Sequence, residues 1–473
     1  MNTVYYENNL MATELNKLKI SDNHKNCSYC NKPFTEELWC KECDPSRIME
    51  GWTSGNSDID KFIKETMYDT MYDAENKKSY VNEFLEWVPF DRFTDIKEIG
   101  EGGFAKVYSA TWINGKSFYD EQNDGSWKKR EPESIKVALK RLNGSQNISD
   151  KYLNELKIHW KISIEDGLKF YGLTKYPETK EFMMIMEFAD KGSLRSSLSN
   201  NFNNTMWGNK IRRLFHILYG LNSLHELGYC HKDFHSGNIL QITDAYNVIS
   251  DFGLSGPVND QKSDDKVIYG VMPYIAPEVL NGEPYSSSSD IYSVGVIMAE
   301  LSSGRPPFYN NKHELSLALA ICNGLRPEFG KGTPEFYKKL AYKCMSANSN
   351  ERPTAEELYS IFYFWFNSIE GKNDEIEKFG YKGKEIKAAF GEADKEIPNI
   401  STSYEKNSDA VYTSRAFTFS NLVPKPVNSS IITSYVNNEV CDSQLIDLEV
   451  SNSIQLRDTN NDDKSNELNI IYL

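Results

Sequence analysis

The chain has 473 residues, 39% of them hydrophobic and 26% charged, with a formal net charge of −15. That is room for more than one domain, with the composition of a globular protein carrying polar additions. The negative balance argues against nucleic acid or an anionic membrane as the main partner, and no apolar run approaches the roughly 18 residues of a membrane span.

The opening residues lack a basic start followed by an apolar core, and the closing NIIYL carries no prenylation Cys, so a soluble cytoplasmic protein is expected. Residues 1–26 are polar and expected to be flexible. Residues 27–43 hold four of the eight cysteines, Cys27, Cys30, Cys40 and Cys43, as two C-x-x-C pairs around a nine-residue spacer, with Trp39 beside them. Each pair makes a knuckle, and four thiolates suit a closed, structural, tetrahedral Zn²⁺ site with no open position for catalysis. The spacer is shorter than in the commonest ribbons, and reduced thiols or a redox pair are the alternatives. The other cysteines are scattered, unlike a disulfide scaffold. Residues 44–92 read as a linker with one short amphipathic helix, since Ile59, Phe62, Ile63 and Met67 fall near helical spacing.

FTDIKEIGEGGFAKVYSATW, starting at Phe93, reads as strand, glycine turn, strand, and Ser134–Leu142 is a further β-rich run. The polar stretch between them is long for a hairpin loop and reads as a surface insertion. Ile148, Tyr152, Leu156 and Trp160 mark a helix with Ser149 as a candidate cap, and 183–188 is a buried strand. Long apolar-periodic segments then run through 210–366. The expected architecture is α+β: a small β-rich lobe followed by a larger helical lobe. Residues 367–473 turn charged, then Ser- and Asn-rich, and are expected to be mostly disordered.

Four groups carry chemistry. Gly100, Gly102 and Gly103 allow a close backbone approach to phosphate oxygens, although a plain hairpin turn would look alike. Lys140 ends the strand Val137-Ala138-Leu139 and could pair with Glu155 on the next helix; a solvated strand end is the alternative. HKDFHSGNIL, from His231, places Asp233 and Asn238 on one short loop, and Asp251-Phe252-Gly253 follows. One acid to accept a hydroxyl proton (Asp233) and two Mg²⁺ ligands (Asn238, Asp251) are what phosphoryl transfer needs.

In their order these motifs resemble a eukaryotic protein kinase domain over about 93–366, and in style the tyrosine-kinase-like group of Ser/Thr kinases. GEGGFAKV resembles the glycine-rich loop, VALK the third-strand Lys, HKDFHSGN the catalytic loop, DFG the metal Asp, and Ala276-Pro277-Glu278 the end of the activation segment. Asp290 and Arg352 match the central-helix Asp and the Arg that pairs with Glu278. The resemblance implies a bilobal kinase fold, ATP and Mg²⁺ as cofactors, and protein substrates phosphorylated on Ser or Thr in signalling. It implies a nucleotide site of Ile99, Gly100, Gly102, Gly103, Val107, Ala138, Lys140 and Glu155, with Met186 as gatekeeper, Glu187-Phe188-Ala189 as hinge and Leu240 below the adenine. His231 is expected to pack rather than to act as a base.

Four positions depart from the pattern. Ala105 replaces the third loop glycine, and Lys232 an Arg that clamps activation-loop phosphate, losing its bidentate fork. His235 stands where Ser/Thr kinases carry a Lys, and Val271 where they carry a Thr that bonds the catalytic Asp. These put acceptor class in question, so a tyrosine or dual-specificity kinase and an ATP-binding pseudokinase scaffold stay open. Ser255, Ser263 and Tyr269 in the activation segment are candidate regulatory sites, and the cysteine module and tail candidate docking elements.

Overall fold

The structure is a computed structural model that describes residues 53–72, 84–101, 105–117, 119–121, 127–129, 133–165, 167–244, 246–257, 267–418 and 422–430. The expectations for residues 1–26, for Cys27, Cys30, Cys40 and Cys43, and for Gly102, Gly103 and Ser263 lie outside the described residues.

The first helix, α1 (Ser57–Tyr72), is where the apolar spacing places it. The Asn56 side-chain oxygen accepts from the Asp58 and Ile59 amides at 3.0 and 3.1 Å, which starts the helix. Ile59, Phe62 and Ile63 are buried in one cluster with Phe84, Leu85, Leu156, Trp160 and Phe182. The described parts of 44–92 are therefore no linker. They form one wall of the small lobe, because that lobe's sheet leaves an apolar face that this helix covers.

Strands β1 (Glu86–Trp87), β2 (Phe93–Glu101) and β3 (Ala105–Trp112) come next. The insertion forms its own hairpin of β4 (Tyr119–Glu121) and β5 (Trp127–Lys129). After β6 (Ile135–Leu142) come helix α2 (Asp150–Ile164) and strands β7 (Phe170–Lys175) and β8 (Phe182–Glu187). The Ser149 hydroxyl accepts from the Tyr152 amide and caps α2. One six-stranded sheet runs β1-β7-β8-β6-β3-β2, with Val107 opposite Lys140 and Ala138 opposite Met186. Alternation on β6 buries Val137 and Leu139 on one face and turns Lys140 toward the space between the lobes.

The larger lobe is helical: α3 (Leu194–Asn201), α4 (Trp207–Glu226), α5 (Pro277–Leu280), α6 (Ser287–Ser303), α7 (Leu315–Cys322), α8 (Glu335–Cys344) and α9 (Ala355–Ile369). α6 is buried on every side nearly throughout, so it forms the lobe's axis. Ser286 and Ser289 close a capping box at its start, and Gly304, at φ 70°, ends it in the left-handed conformation glycine favours. Glu278 and Arg352 form a buried two-pronged ion pair at 2.6 and 2.7 Å. No helix among the described residues is long and apolar enough to cross a membrane.

The expectation of disorder after residue 366 does not hold for the described part of the tail. Helix α10 (Gly383–Glu396) buries Ile386, Phe390, Ala393 and, just past its end, Ile397. The Phe390 ring lies 5.3 to 5.9 Å from Phe336, Trp207 and Trp365. Asp394 Oδ1 accepts from the Trp207 amide at 2.6 Å, at the start of α4. These residues repeat at four, three and four positions, a helical stripe hidden by the charged residues between them. Residues 400–418 and 422–430 carry one three-residue strand, Arg415–Phe417, and are otherwise held by scattered contacts, among them Arg305 on the Ser401 carbonyl, His313 on the Val411 carbonyl and Asn281 on the Val423 carbonyl. Such anchoring leaves no periodicity to read.

Candidate active site

Three of the expected polar groups converge between the lobes. Lys140 Nζ lies 2.5 Å from Glu155 Oε1 and 3.0 Å from Asp251 Oδ1. Burial works against the charged Lys140, but Asp251 and Glu155 outweigh it and hold the ammonium firmly protonated. Burial would raise Asp251 as well; the Lys140 ammonium reverses that and keeps the carboxylate well below its usual range. Asp251 sits at φ 64°, a strained conformation for a non-glycine residue, which re-aims its side chain at this point.

The catalytic-loop candidates lie below. Asp290 on α6 accepts from the His231 and Lys232 amides at 2.7 and 3.1 Å and from His225 Nε2 at 3.0 Å. This pins the loop's backbone, including Lys232 at φ 67°. Asn238 Nδ2 donates to the Asp233 carbonyl at 3.0 Å, which holds the two side chains on one loop. Asp233 is buried, and its Oδ1 has no hydrogen-bond partner among the described residues. Val271 is buried without a hydroxyl to offer it. His235 Nδ1 accepts from the Gly237 amide at 3.0 Å, which leaves the proton on Nε2, 3.7 Å from Asp233 Oδ1. His235 thus faces the acid across the loop, and Lys232 Nζ lies beside Gly256 at the start of the activation segment.

The nucleotide candidates divide between the lobes. Ala138 and Leu240 pack against one cluster that contains Met186 and Val248. Ile99 is exposed and Gly100 has open space around it. Val107 faces Lys140 across the sheet, Glu187 ends β8, and Phe188 lies under Lys136 Nζ at 3.7 Å.

One contributor went unread in the sequence. His159, one helical turn past Glu155, has its ring 4.6 Å from Phe252 and 6.2 Å from Phe170, and Phe252 is 5.4 Å from His231. This aromatic column joins α2 to the catalytic loop and holds Asp251 beside Lys140. Its signal was present: a His four residues after Glu155 on an apolar helix face. Neither ring nitrogen of His159 has a hydrogen-bond partner among the described residues, and burial pushes its pKa well below normal.

Below the unfolded-state pKa of about 6.5, the unfolded chain takes up a proton that the folded His159 refuses, so stability falls with pH. His159→Leu removes that penalty. The stability advantage of the variant over the wild type is expected to grow by up to about 1.4 kcal/mol per pH unit between pH 6.5 and 5, measured by urea melts. A difference independent of pH would refute a buried neutral imidazole.

The family model for protein tyrosine and serine/threonine kinases matches residues 93–362, and the chain belongs to that family. Two Dictyostelium discoideum proteins named as probable serine/threonine-protein kinases are 29% and 30% identical to it, over 58% and 56% of this chain and 15% of each relative. The serine/threonine-protein kinase 4 homolog A of the same organism is 27% identical over 56% of this chain and 54% of its own length. The chain thus spans about 15% of the length of the first two and about half of the third.

Proposed function

We propose that this chain is an active protein kinase that transfers the γ-phosphoryl group of ATP to Ser or Thr hydroxyls of protein substrates, with Mg²⁺ as the metal. The observation that carries the reading is the intact triad of Lys140, Glu155 and Asp251, set above a loop that holds Asp233 and Asn238 together. A scaffold freed from catalysis has no physical need to bury a lysine between two carboxylates.

The oxygen donors suit a hard cation: Asp251 offers a carboxylate, and Asn238 directs its amide nitrogen at Asp233, which turns its amide oxygen away. Magnesium bound there would neutralise charge gathering on the phosphate oxygens. Lys140 would orient the α- and β-phosphates, held in place by Glu155. The backbone of Gly100, Gly102 and Gly103 would cover the phosphates. Ala138, Leu240, Met186 and the hinge at Glu187–Ala189 would hold the adenine, with Ile99 and Val107 at its rim. Asp233 would accept the acceptor hydroxyl's proton through Oδ1, which has no hydrogen-bond partner among the described residues and which His235 Nε2 faces at 3.7 Å, while Asn238 Nδ2 lies 3.4 Å from Oδ2. That last arrangement replaces the usual Lys and Thr contacts. It favours tyrosine or dual specificity as the second reading over a pseudokinase scaffold.

The style of the motifs supports placement in the tyrosine-kinase-like group, and the lack of a spanning helix among the described residues fits the proposed cytoplasmic location. Structural zinc on Cys27, Cys30, Cys40 and Cys43, and docking through that module, rest on spacing alone. Among the described residues no three or more His, Cys, Asp or Glu side chains gather as such a closed site would need.

The test is site-mapped mass spectrometry of the full chain incubated with ATP and Mg²⁺, beside Asp233→Asn. New phosphate on Ser or Thr in the wild type alone is expected, with ATP binding retained in the variant. Phosphotyrosine would move the reading to the second one. Transfer by Asp233→Asn at the wild-type rate would defeat the proposed mechanism.

A further inference from the structure

An acceptor hydroxyl must come within hydrogen-bond reach of Asp233, so an acceptor polypeptide has to pass along the catalytic loop. A short strand of the activation segment, Ile268–Gly270, leads toward that loop. It leads into Val271–Tyr274, where the Tyr274 hydroxyl lies 3.1 Å from Ser236 Oγ. An extended peptide reads such an edge by adding a strand to it.

The edge is taken by this chain's own tail. Arg415–Phe417 pairs with it antiparallel, Phe417 opposite Ile268, Ala416 opposite Tyr269 and Arg415 opposite Gly270. Upstream, the Tyr412 carbonyl accepts from Arg195 Nη1 at 2.8 Å. Arg195 Nη2 lies 3.4 Å from His235 Nδ1, and His235 Nε2 lies 3.7 Å from Asp233 Oδ1. Two side chains thus separate the tail backbone from the proposed proton acceptor. The path is anchored on both flanks: the Tyr412 hydroxyl donates to the Pro307 carbonyl at 2.8 Å, His313 Nδ1 lies 2.9 Å from the Val411 carbonyl, and Phe417 is buried against the large lobe.

We infer that residues 411–418 form an intramolecular strap that occupies the acceptor-polypeptide face and competes with protein substrates in cis. The inference rests on the kinase reading of the same site. The paired strand is three residues long, small enough to open locally without unfolding the domain. Tethering gives the strap a millimolar effective concentration, enough to weaken a competitor's apparent affinity by about tenfold or more. The displaced substrate is an extended, unstructured Ser/Thr-bearing segment that adds to the same edge.

The test uses the full chain, with Ala416→Pro and Phe417→Asp as strap variants and dephosphorylated casein as the acceptor. Proline removes an amide and fixes φ, and aspartate cannot take the buried Phe417 seat. The KM for casein is expected to fall about tenfold in both variants, while kcat and the KM for ATP change by less than twofold. An unchanged KM for casein in folded variants overturns the strap. Should the variants misfold, a synthetic peptide of residues 409–420 added to wild type keeps the question open to refutation. Inhibition competitive with casein supports the strap, and none up to millimolar peptide overturns it. If neither wild type nor variants transfer phosphate to any acceptor, the kinase reading fails by itself. The strap is then judged by fluorescence anisotropy with labelled casein, where tighter binding to Ala416→Pro than to wild type sustains it and equal binding overturns it.

Discussion

Asp251→Asn is expected to cut phosphoryl transfer at least about 10²–10³-fold, the scale on which loss of one charge-stabilising group at a reacting centre is felt. The substitution is nearly isosteric, and Lys140 keeps Glu155 as its partner, so the domain should fold. What disappears is a charge. The wild-type carboxylate stays ionised far below neutral pH because Lys140 outweighs the effect of burial, so it would be available to a divalent cation at any working pH. The asparagine offers a weaker oxygen. Magnesium-dependent ATP binding, followed by calorimetry with and without the metal, should therefore weaken in step with activity. Metal-free nucleotide binding should change little. Wild-type turnover in Asp251→Asn would remove Asp251 from the mechanism.

Phe390→Ala is expected to cost about 3–5 kcal/mol, and truncation after residue 370 more than that. Read from composition, residues 370–473 look removable without harm to the domain. The structure reverses that expectation, because Phe390 fills a socket made by Trp207, Phe336 and Trp365, and Asp394 supports the start of α4. Removing α10 would bare those rings to water and leave the Trp207 amide without its acceptor. In a domain of this size the point substitution alone should lower Tm by roughly 10 °C, read by calorimetry. A truncated chain that melts with the full-length protein would show that α10 is not part of the core.

The two results differ in how legible they were. The site residues were readable because phosphoryl transfer demands particular side chains in a fixed chain order, and a short loop keeps Asp233 and Asn238 together whatever surrounds them. Lys140, Glu155 and Asp251 lie apart in sequence. Their convergence follows from β6 alternation, the phase of α2 and the strained backbone at Asp251, which no spacing displays. α1 was found as a helix because its apolar stripe is uninterrupted, yet its place in the small lobe depends on which sheet face lacked a cover. α10 is not legible from composition, although Ile386, Phe390, Ala393 and Ile397 keep helical spacing, because the charged residues between them dilute the stripe.

The sequence alone determined the two-lobed order of strands and helices, the central apolar helix α6 and the identity of the polar groups around Asp233. Periodicity and chemical type are local properties, and they survive without knowledge of contacts. Tertiary structure alone decided that the charged helix α10 is core, that His159 joins an aromatic column, and that Arg415–Phe417 pairs with Ile268–Gly270. Each of those depends on the partner a residue meets across the fold. A segment held by a three-residue strand pairing, a few carbonyl contacts and one buried ring has the same sequence signature as one held by nothing.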